Sequence, residues 1–114
     1  MNVRMTVRHT EVSEEVRERT EALVIKLQKF DPRVSQAEIV FDESKHTKSV
    51  EGILHVDRDE PVVAKGEATD FLNAVDMMVE KLAKILRRRR SKVTQHKGAS
   101  RAGDVVEIEV PEFE

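Results

Sequence analysis

The residues of this chain best suited to bind another molecule are the Lys and Arg side chains of residues 81–101. This stretch holds nine of them and no Asp or Glu, whereas residues 1–80 carry 11 basic and 17 acidic side chains. Residues 102–114 add five acids, so a net charge of −2 conceals one strongly basic segment. Guanidinium and ammonium groups bind phosphate oxygens and release counterions from a polyanion. The segment therefore predicts a phosphate-rich partner.

A simpler interpretation is a solvated helix end whose cations suit the helix dipole, but one or two basic residues would serve that purpose. Among polyanions RNA is favoured, because no motif that reads DNA bases is visible and the segment lacks the bulky apolar face of an interfacial membrane helix. The chain has no Trp or Tyr and four Phe, so we expect contacts to phosphates rather than stacking on bases. Two alternatives stay open: a generic double-stranded RNA-binding protein or RNA chaperone, and a module whose basic segment binds an acidic protein.

Residue types that carry catalysis are sparse. The four His residues are scattered without metal-ligand spacing, and the absence of Cys excludes disulfides and thiolate zinc sites. Asp57, Asp59 and Glu60 are close in sequence but typical of a turn. We therefore predict a non-enzyme with no catalytic residue, metal, cofactor or small-molecule substrate. Because no apolar run could span a bilayer and no signal peptide is visible, we also expect a cytoplasmic protein with no membrane partner.

The pattern of apolar residues predicts the elements that position the basic segment. Residues 2–8 alternate as a half-buried strand does. Ser13 is a candidate N-cap for a first helix, whose apolar face reaches Phe30 before Pro32 ends it. Three strands follow, at about residues 37–42, 50–57 and 62–68, with an open loop at 44–48 between the first two. The predicted class is α+β with the order β-α-β-β-β-α, a four-stranded sheet with two helices on one face.

The final helix is predicted to begin with Thr69 or Asp70 as its cap and to continue to about residue 96. Its apolar stripe ends at Leu86, so the stripe covers about 24 Å of a helix about 40 Å long. We therefore expect the last two to three turns to project past the sheet. Residues 87–90, four consecutive arginines, would point around the whole helix and bury nothing against the core.

The last third of the chain also carries an ordered set of motifs, with two shorter ones before it. These are Asp70, Ala74 and Asp76; Lys81, Leu82, Ala83 and Leu86; Lys92, Gln95 and His96; and, earlier, Leu54-His55-Val56 and Lys26-Leu27. Their order and spacing over residues 1–97 resemble the ribosome hibernation factors, the family of the short hibernation-promoting factor and the ribosome-associated inhibitor. In departure from the family's usual Asp-x-Tyr-Ala-Ala motif, this chain has Leu72 and Asn73.

The resemblance implies a fold similar to double-stranded RNA-binding domains and a partner, the small ribosomal subunit with its rRNA, within the whole ribosome. It further implies binding at the mRNA and tRNA channel and inhibition of translation in stationary phase or stress. By position, rRNA contacts would fall to the basic residues of the last helix and, more weakly, to three on the first. These candidates are Lys81, Lys84, Arg87, Arg88, Arg89, Arg90 and Lys92, then Arg17, Lys26 and Lys29.

The remaining residues, 98–114, are predicted to be a linker and an acidic tail outside the RNA-binding domain of residues 1–97. Gly98 begins a stretch of small residues, and Val106, Ile108 and Val110 alternate with Glu107 and Glu109 in the segment that follows. One interpretation is a solubilising terminus without structure. The other is a tail that folds back on the basic segment or enters the mRNA path.

Overall fold

The computed structural model describes the backbone of residues 1–98 and the side chains of residues 1–90, and it confirms the predicted α+β order. Its elements are strand β1 (Asn2–Arg8), helix α1 (Glu14–Ile25), a 3-10 turn (Lys26–Lys29), strands β2 (Val34–Ser44), β3 (Thr47–Val56) and β4 (Val62–Ala68), and helix α2 (Phe71–Gly98). The prediction for residues 98–114 lies, beyond Gly98, outside the described residues.

The four strands form one sheet in the order β1-β2-β3-β4, with β1 parallel to β2 and the other pairs antiparallel. Alternate side chains point to the helices, so Ala37, Ile39 and Phe41 of β2 are fully buried while their neighbours in sequence are less covered. Both helices pack on this one face, α2 over β3 and β4 and α1 near β1. The other face of the sheet is left without a covering element among the described residues.

The helices begin where the sequence predicts. The Ser13 hydroxyl accepts a hydrogen bond from Val16 N at 3.2 Å, and the Asp70 carboxylate accepts one from Asn73 N at 2.8 Å, so both are N-caps. Phe30, expected on the buried face of α1, instead lies after the 3-10 turn and is only partly buried. The first helix is thus shorter than predicted, and its last turn tightens before Pro32.

The prediction of an open loop at residues 44–48 is wrong. β2 and β3 continue through it as one long hairpin, joined by a turn at Lys45 and His46. Lys45 has a φ of 56°, the left-handed conformation that Gly or Asn usually supplies in such turns. Because neither residue type is present at the tip, the sequence carried no hairpin signal there.

Close contact between α2 and the sheet depends on two glycines. A methyl group at Gly66 would overlap the carbonyl oxygen of Ala74 and lie 2.8 Å from the backbone nitrogen of Met78. At Gly52 it would lie 2.7 Å from the Met78 sulfur. The missing side chains let the part of α2 that contains Ala74 and Met78 lie directly on β3 and β4.

Candidate nucleic-acid interface

The four arginines of residues 87–90 divide into groups with different surroundings. Arg89 follows Leu82 by seven residues, which returns it to the core-facing side of α2. Its guanidinium donates hydrogen bonds to the carbonyl oxygens of Glu60 at 2.7 Å and Pro61 at 3.4 Å. It also lies 3.5 Å from the Asp59 carboxylate. Arg89 therefore joins α2 to the turn between β3 and β4.

Arg87 lies on another side of the helix and contacts an aromatic ring. Its guanidinium carbon is 5.3 Å from the centre of the Phe30 ring, and the Lys29 ammonium is 5.2 Å from the same centre. Both distances are within the range of cation–π contacts. The fold thus brings two predicted RNA-binding residues, Lys29 of the 3-10 turn and Arg87 of α2, to the Phe30 ring.

These contacts correct the expectation that residues 87–90 bury nothing against the rest of the fold. Within residues 1–90 the aliphatic core does end at Leu86, but beyond that residue the end of the sheet presents backbone carbonyls, a carboxylate and the Phe30 ring. Arginine has a long stem and a planar head, so it reaches such groups where a short apolar side chain would not. Arg87 and Arg89 are consequently part of the fold.

Behind Arg89 lies a network of charges. The Arg33 guanidinium binds both oxygens of Asp31, at 3.1 and 3.0 Å, and lies 3.4 Å from Asp59. The Asp31 side chain is fully buried. The hydrogen bonds from Arg33 lower the pKa of Asp31 below its ordinary value of 3.8, and the charge of Arg90 acts in the same direction. Asp31 is therefore held ionised by arginines from two parts of the chain.

Lys84 and Arg88 have no such partners. Both are exposed, and within residues 1–90 neither side chain makes a hydrogen bond or an ion pair. Four residues apart, they lie on the same side of α2 together with Lys81. The Lys81 ammonium donates to the carbonyl oxygen of Lys65 at 2.8 Å, which covers part of β4 at the edge of the sheet. This side of α2 can offer two cations to a phosphate backbone.

The remaining candidates are spread around the fold. Lys26 and Lys29 are three residues apart in the 3-10 turn, which places them on one side of it. Arg19, which the sequence analysis missed, lies 3.5 Å from Asp76 of α2. Arg17 is about 200° from Arg19 around α1 and so lies on the side away from α2. Lys92 belongs to α2 by its backbone, and its side chain lies outside the described residues.

Several other ionisable groups form pairs. His55 lies 2.8 Å from Glu38, and His9 lies 3.0 Å from Asp42, whose pKa this hydrogen bond lowers. Over the side chains that the structure describes, no three His, Asp or Glu residues are placed to hold a metal ion. Within that same part of the chain, no helix has the length and apolar character to cross a membrane.

Comparison with known proteins decides the family. The model of the family described as "Sigma 54 modulation protein / S30EA ribosomal protein" matches residues 3–94. The chain belongs to the S30EA family. The ribosome hibernation promoting factor of Escherichia coli K12 is 31% identical over 96 residues, which is 84% of this chain and all of that protein. That of Azotobacter vinelandii is 25% identical over 104 residues, which is 91% of this chain and 96% of the relative. The resemblance to ribosome hibernation factors is confirmed.

Solved structures agree with this assignment to the S30EA family. A ribosomal subunit interface protein from Coxiella burnetii superposes with a TM-score of 0.74 at 25% identity, covering 80% of this chain and 99% of that protein. The N-terminal domain of Thermus thermophilus protein Y has a TM-score of 0.70 at 20% identity, covering 79% of this chain and all of that domain; this second likeness concerns the fold alone.

Proposed function

We propose that this chain is a cytoplasmic ribosome hibernation factor. It binds the small ribosomal subunit, alone or in the whole ribosome, at the mRNA and tRNA channel through phosphates of the rRNA. It thereby inhibits translation in stationary phase or stress. The observation that carries the proposal is the pair of exposed cations Lys84 and Arg88, which make no hydrogen bond or ion pair within residues 1–90. They lie on a helix that packs on the sheet, in a chain of the S30EA family.

The chemistry of these cations suits a folded RNA. Each phosphate that a Lys or Arg neutralises releases counterions and adds to the salt dependence of binding. Double-stranded RNA is recognised mainly by shape and by its phosphates and hydroxyls, without base stacking. Among the described aromatic residues, Phe41 and Phe71 are buried against one another, and Phe30 is covered by two cations. The proposed function therefore requires phosphate contacts and no catalytic step.

Sedimentation with purified small subunits tests the proposal, with Lys84→Glu and Lys45→Glu as a matched pair. Both substitutions change the net charge equally at exposed positions, but only Lys84 lies on the proposed surface. We expect Lys45→Glu to sediment with the subunit as the parent protein does, and Lys84→Glu to remain largely unbound at moderate salt. Absence of the parent protein from the subunit fraction at low salt would contradict the proposal.

A second measurement separates ribosome specificity from general RNA affinity. Binding to an isolated RNA duplex is compared with binding to the small subunit at the same salt concentration. We expect the subunit to bind at least about tenfold more tightly, since a shaped site engages more phosphates at once than a short duplex. Equal affinities would favour a generic double-stranded RNA-binding protein.

A further inference from the structure

We infer that Arg89 and Asp59 are positioning residues, which together fix the direction in which α2 leaves the fold. We call Arg89, Asp59 and the carbonyls of Glu60 and Pro61 the arginine anchor. The direction of α2 determines where Arg88 and the later cations of the helix stand relative to the sheet. The geometry of the anchor is independent of the proposed function, whereas its consequence for RNA binding rests on that function.

The need for an anchor follows from the length of helix beyond the core. Among residues 71–90 of the helix, whose side chains the structure describes, Leu86 is the last fully buried apolar one, and the backbone of α2 continues to Gly98. Twelve residues extend about 18 Å, and a helix of this length has marginal stability in water without tertiary contacts. Arg89 stands on the core-facing side less than one turn after Leu86. A contact there holds the helix axis just beyond Leu86, the last buried apolar residue within residues 71–90.

The turn that binds Arg89 is held in place by contacts that do not involve Arg89. The backbone nitrogen of Asp59 donates to Val56 O at 3.1 Å and that of Asp57 to Arg33 O at 3.0 Å, so the turn is fixed to two strands' ends. The Asp59 carboxylate accepts a hydrogen bond from Glu60 N at 2.7 Å. Its other oxygen lies 3.4 Å from Arg33. These contacts fix the orientation of the Asp59 carboxylate, and its negative charge faces the Arg89 guanidinium.

Arg89 is correspondingly unsuited to bind phosphate. Both of its terminal nitrogens donate to carbonyls, and its charge is paired with Asp59. Its neighbour Arg88 is exposed and makes no such contacts within residues 1–90. Adjacent arginines of one helix thus have different roles: Arg88 is available to the RNA, and Arg89 sets where Arg88 and the following residues lie.

A distance measurement tests the anchor without any ribosome. The chain has no Cys, so spin labels can be placed at Thr6→Cys on the uncovered sheet face and Gln95→Cys in α2. We expect a narrow distance distribution in the parent and in Arg88→Gln. In Arg89→Gln and in Asp59→Asn we expect it to become about twofold wider, as local contacts are lost. Far-ultraviolet circular dichroism confirms that each labelled variant is folded. Equal widths in the parent and in both anchor variants would overturn the inference.

A salt titration of binding to the small subunit separates the two roles. Arg88→Gln and Arg89→Gln remove the same charge from adjacent positions. Loss of a phosphate contact in Arg88→Gln should reduce the slope of log affinity against log salt by about 0.7 to 0.9. Arg89→Gln should weaken binding several-fold with the slope unchanged.

The outcomes distinguish the anchor from the proposed function. A reduced slope in Arg89→Gln would show that Arg89 binds phosphate itself, which overturns its assignment as a positioning residue. A widened distance distribution in Arg89→Gln with no subunit binding by the parent protein would support the anchor and contradict the proposed function. If Arg89→Gln widens the distance distribution and weakens subunit binding without changing the salt slope, the result supports both the anchor and the proposed function.

Discussion

Residues 71–86 and residues 87–90 belong to one helix but are held to the same sheet by different contacts. The first stretch buries aliphatic side chains against β3 and β4, with Gly52 and Gly66 allowing close approach. The second uses a ring contact at Arg87 and the arginine anchor at Arg89. Apolar packing depends on shape and is insensitive to the protonation state of side chains, whereas polar contacts depend on charge. Stability and binding should therefore respond to different substitutions along the helix.

The largest effect is expected from Gly66→Ala, compared with Gly52→Ala. At Gly66 the new methyl group would collide with backbone atoms of α2, which can move only if the helix moves. At Gly52 it would meet the end of the Met78 side chain, which can change rotamer. We expect Gly66→Ala to lower the free energy of unfolding by about 3 kcal/mol and Gly52→Ala by about 1 kcal/mol. Urea denaturation measures both, and equal losses would mean that α2 is not held tightly on β4.

The next largest effect concerns the charges behind the anchor. Asp31→Asn removes the carboxylate that Arg33 binds through both oxygens and leaves Arg33 only its 3.4 Å contact with Asp59. We expect a loss of about 2 kcal/mol at neutral pH. Because the pKa of Asp31 is lowered in the folded protein, its contribution is present above its unfolded pKa and is lost as the pH falls through its folded pKa.

Acid titration of stability checks the origin of that loss. Urea denaturation between about pH 6 and pH 2.5 should give curves for the parent and for Asp31→Asn that converge as the pH falls. Asp42 and Glu43, whose pKa values are also lowered, remain in both proteins and do not affect the difference. A difference that is constant over this range would show that the ionised state of Asp31 is not what stabilises the fold.

The apolar half of this comparison could be predicted from the sequence, and the polar half could not. Alternation gave the strands, and the spacing from Phe71 to Leu86 gave the buried side of α2. The seven-residue separation of Leu82 and Arg89 was equally visible. The contact that this spacing allows could not be predicted, because the acceptors of Arg89 are backbone carbonyls. Every residue type has a backbone carbonyl, and its position is known only once the turn is folded.

The same limit applies to the candidate site. The family resemblance and the charge count identified α2 as basic, but neither separates Arg88 from Arg89. That separation depends on which side of the helix meets the turn between β3 and β4, a contact across about 30 residues of sequence. The contact of Lys29 and Arg87 with Phe30 was missed for the same reason. Charge patterns indicate that a segment binds anions, and the fold determines which of its members remain available.

A smaller effect is expected at the Phe30 ring. Arg87→Gln removes one cation from the ring while Lys29 stays in place, and a partly exposed cation–π contact contributes about 0.5–1 kcal/mol. Phe30→Leu keeps an apolar side chain but removes the ring for both cations. In a double-mutant cycle, Arg87→Gln should cost less in the Phe30→Leu background than in the parent. Additive effects would show that the two side chains do not interact.

The smallest effect on stability is expected from Lys84→Gln combined with Arg88→Gln. Both side chains are exposed and lack partners within residues 1–90, so the free energy of unfolding should change by no more than about 0.5 kcal/mol. Binding to the small subunit should nevertheless fall steeply, with a salt slope reduced by about 1.4 to 1.8 for two lost phosphate contacts. Gly66→Ala and this double variant are expected to have opposite effects. Gly66→Ala lowers stability and leaves every cation in place, whereas the double variant removes two cations and leaves the packing of the fold unchanged. A marked loss of stability in the double variant would mean that these cations, like Arg89, serve the fold instead of the partner.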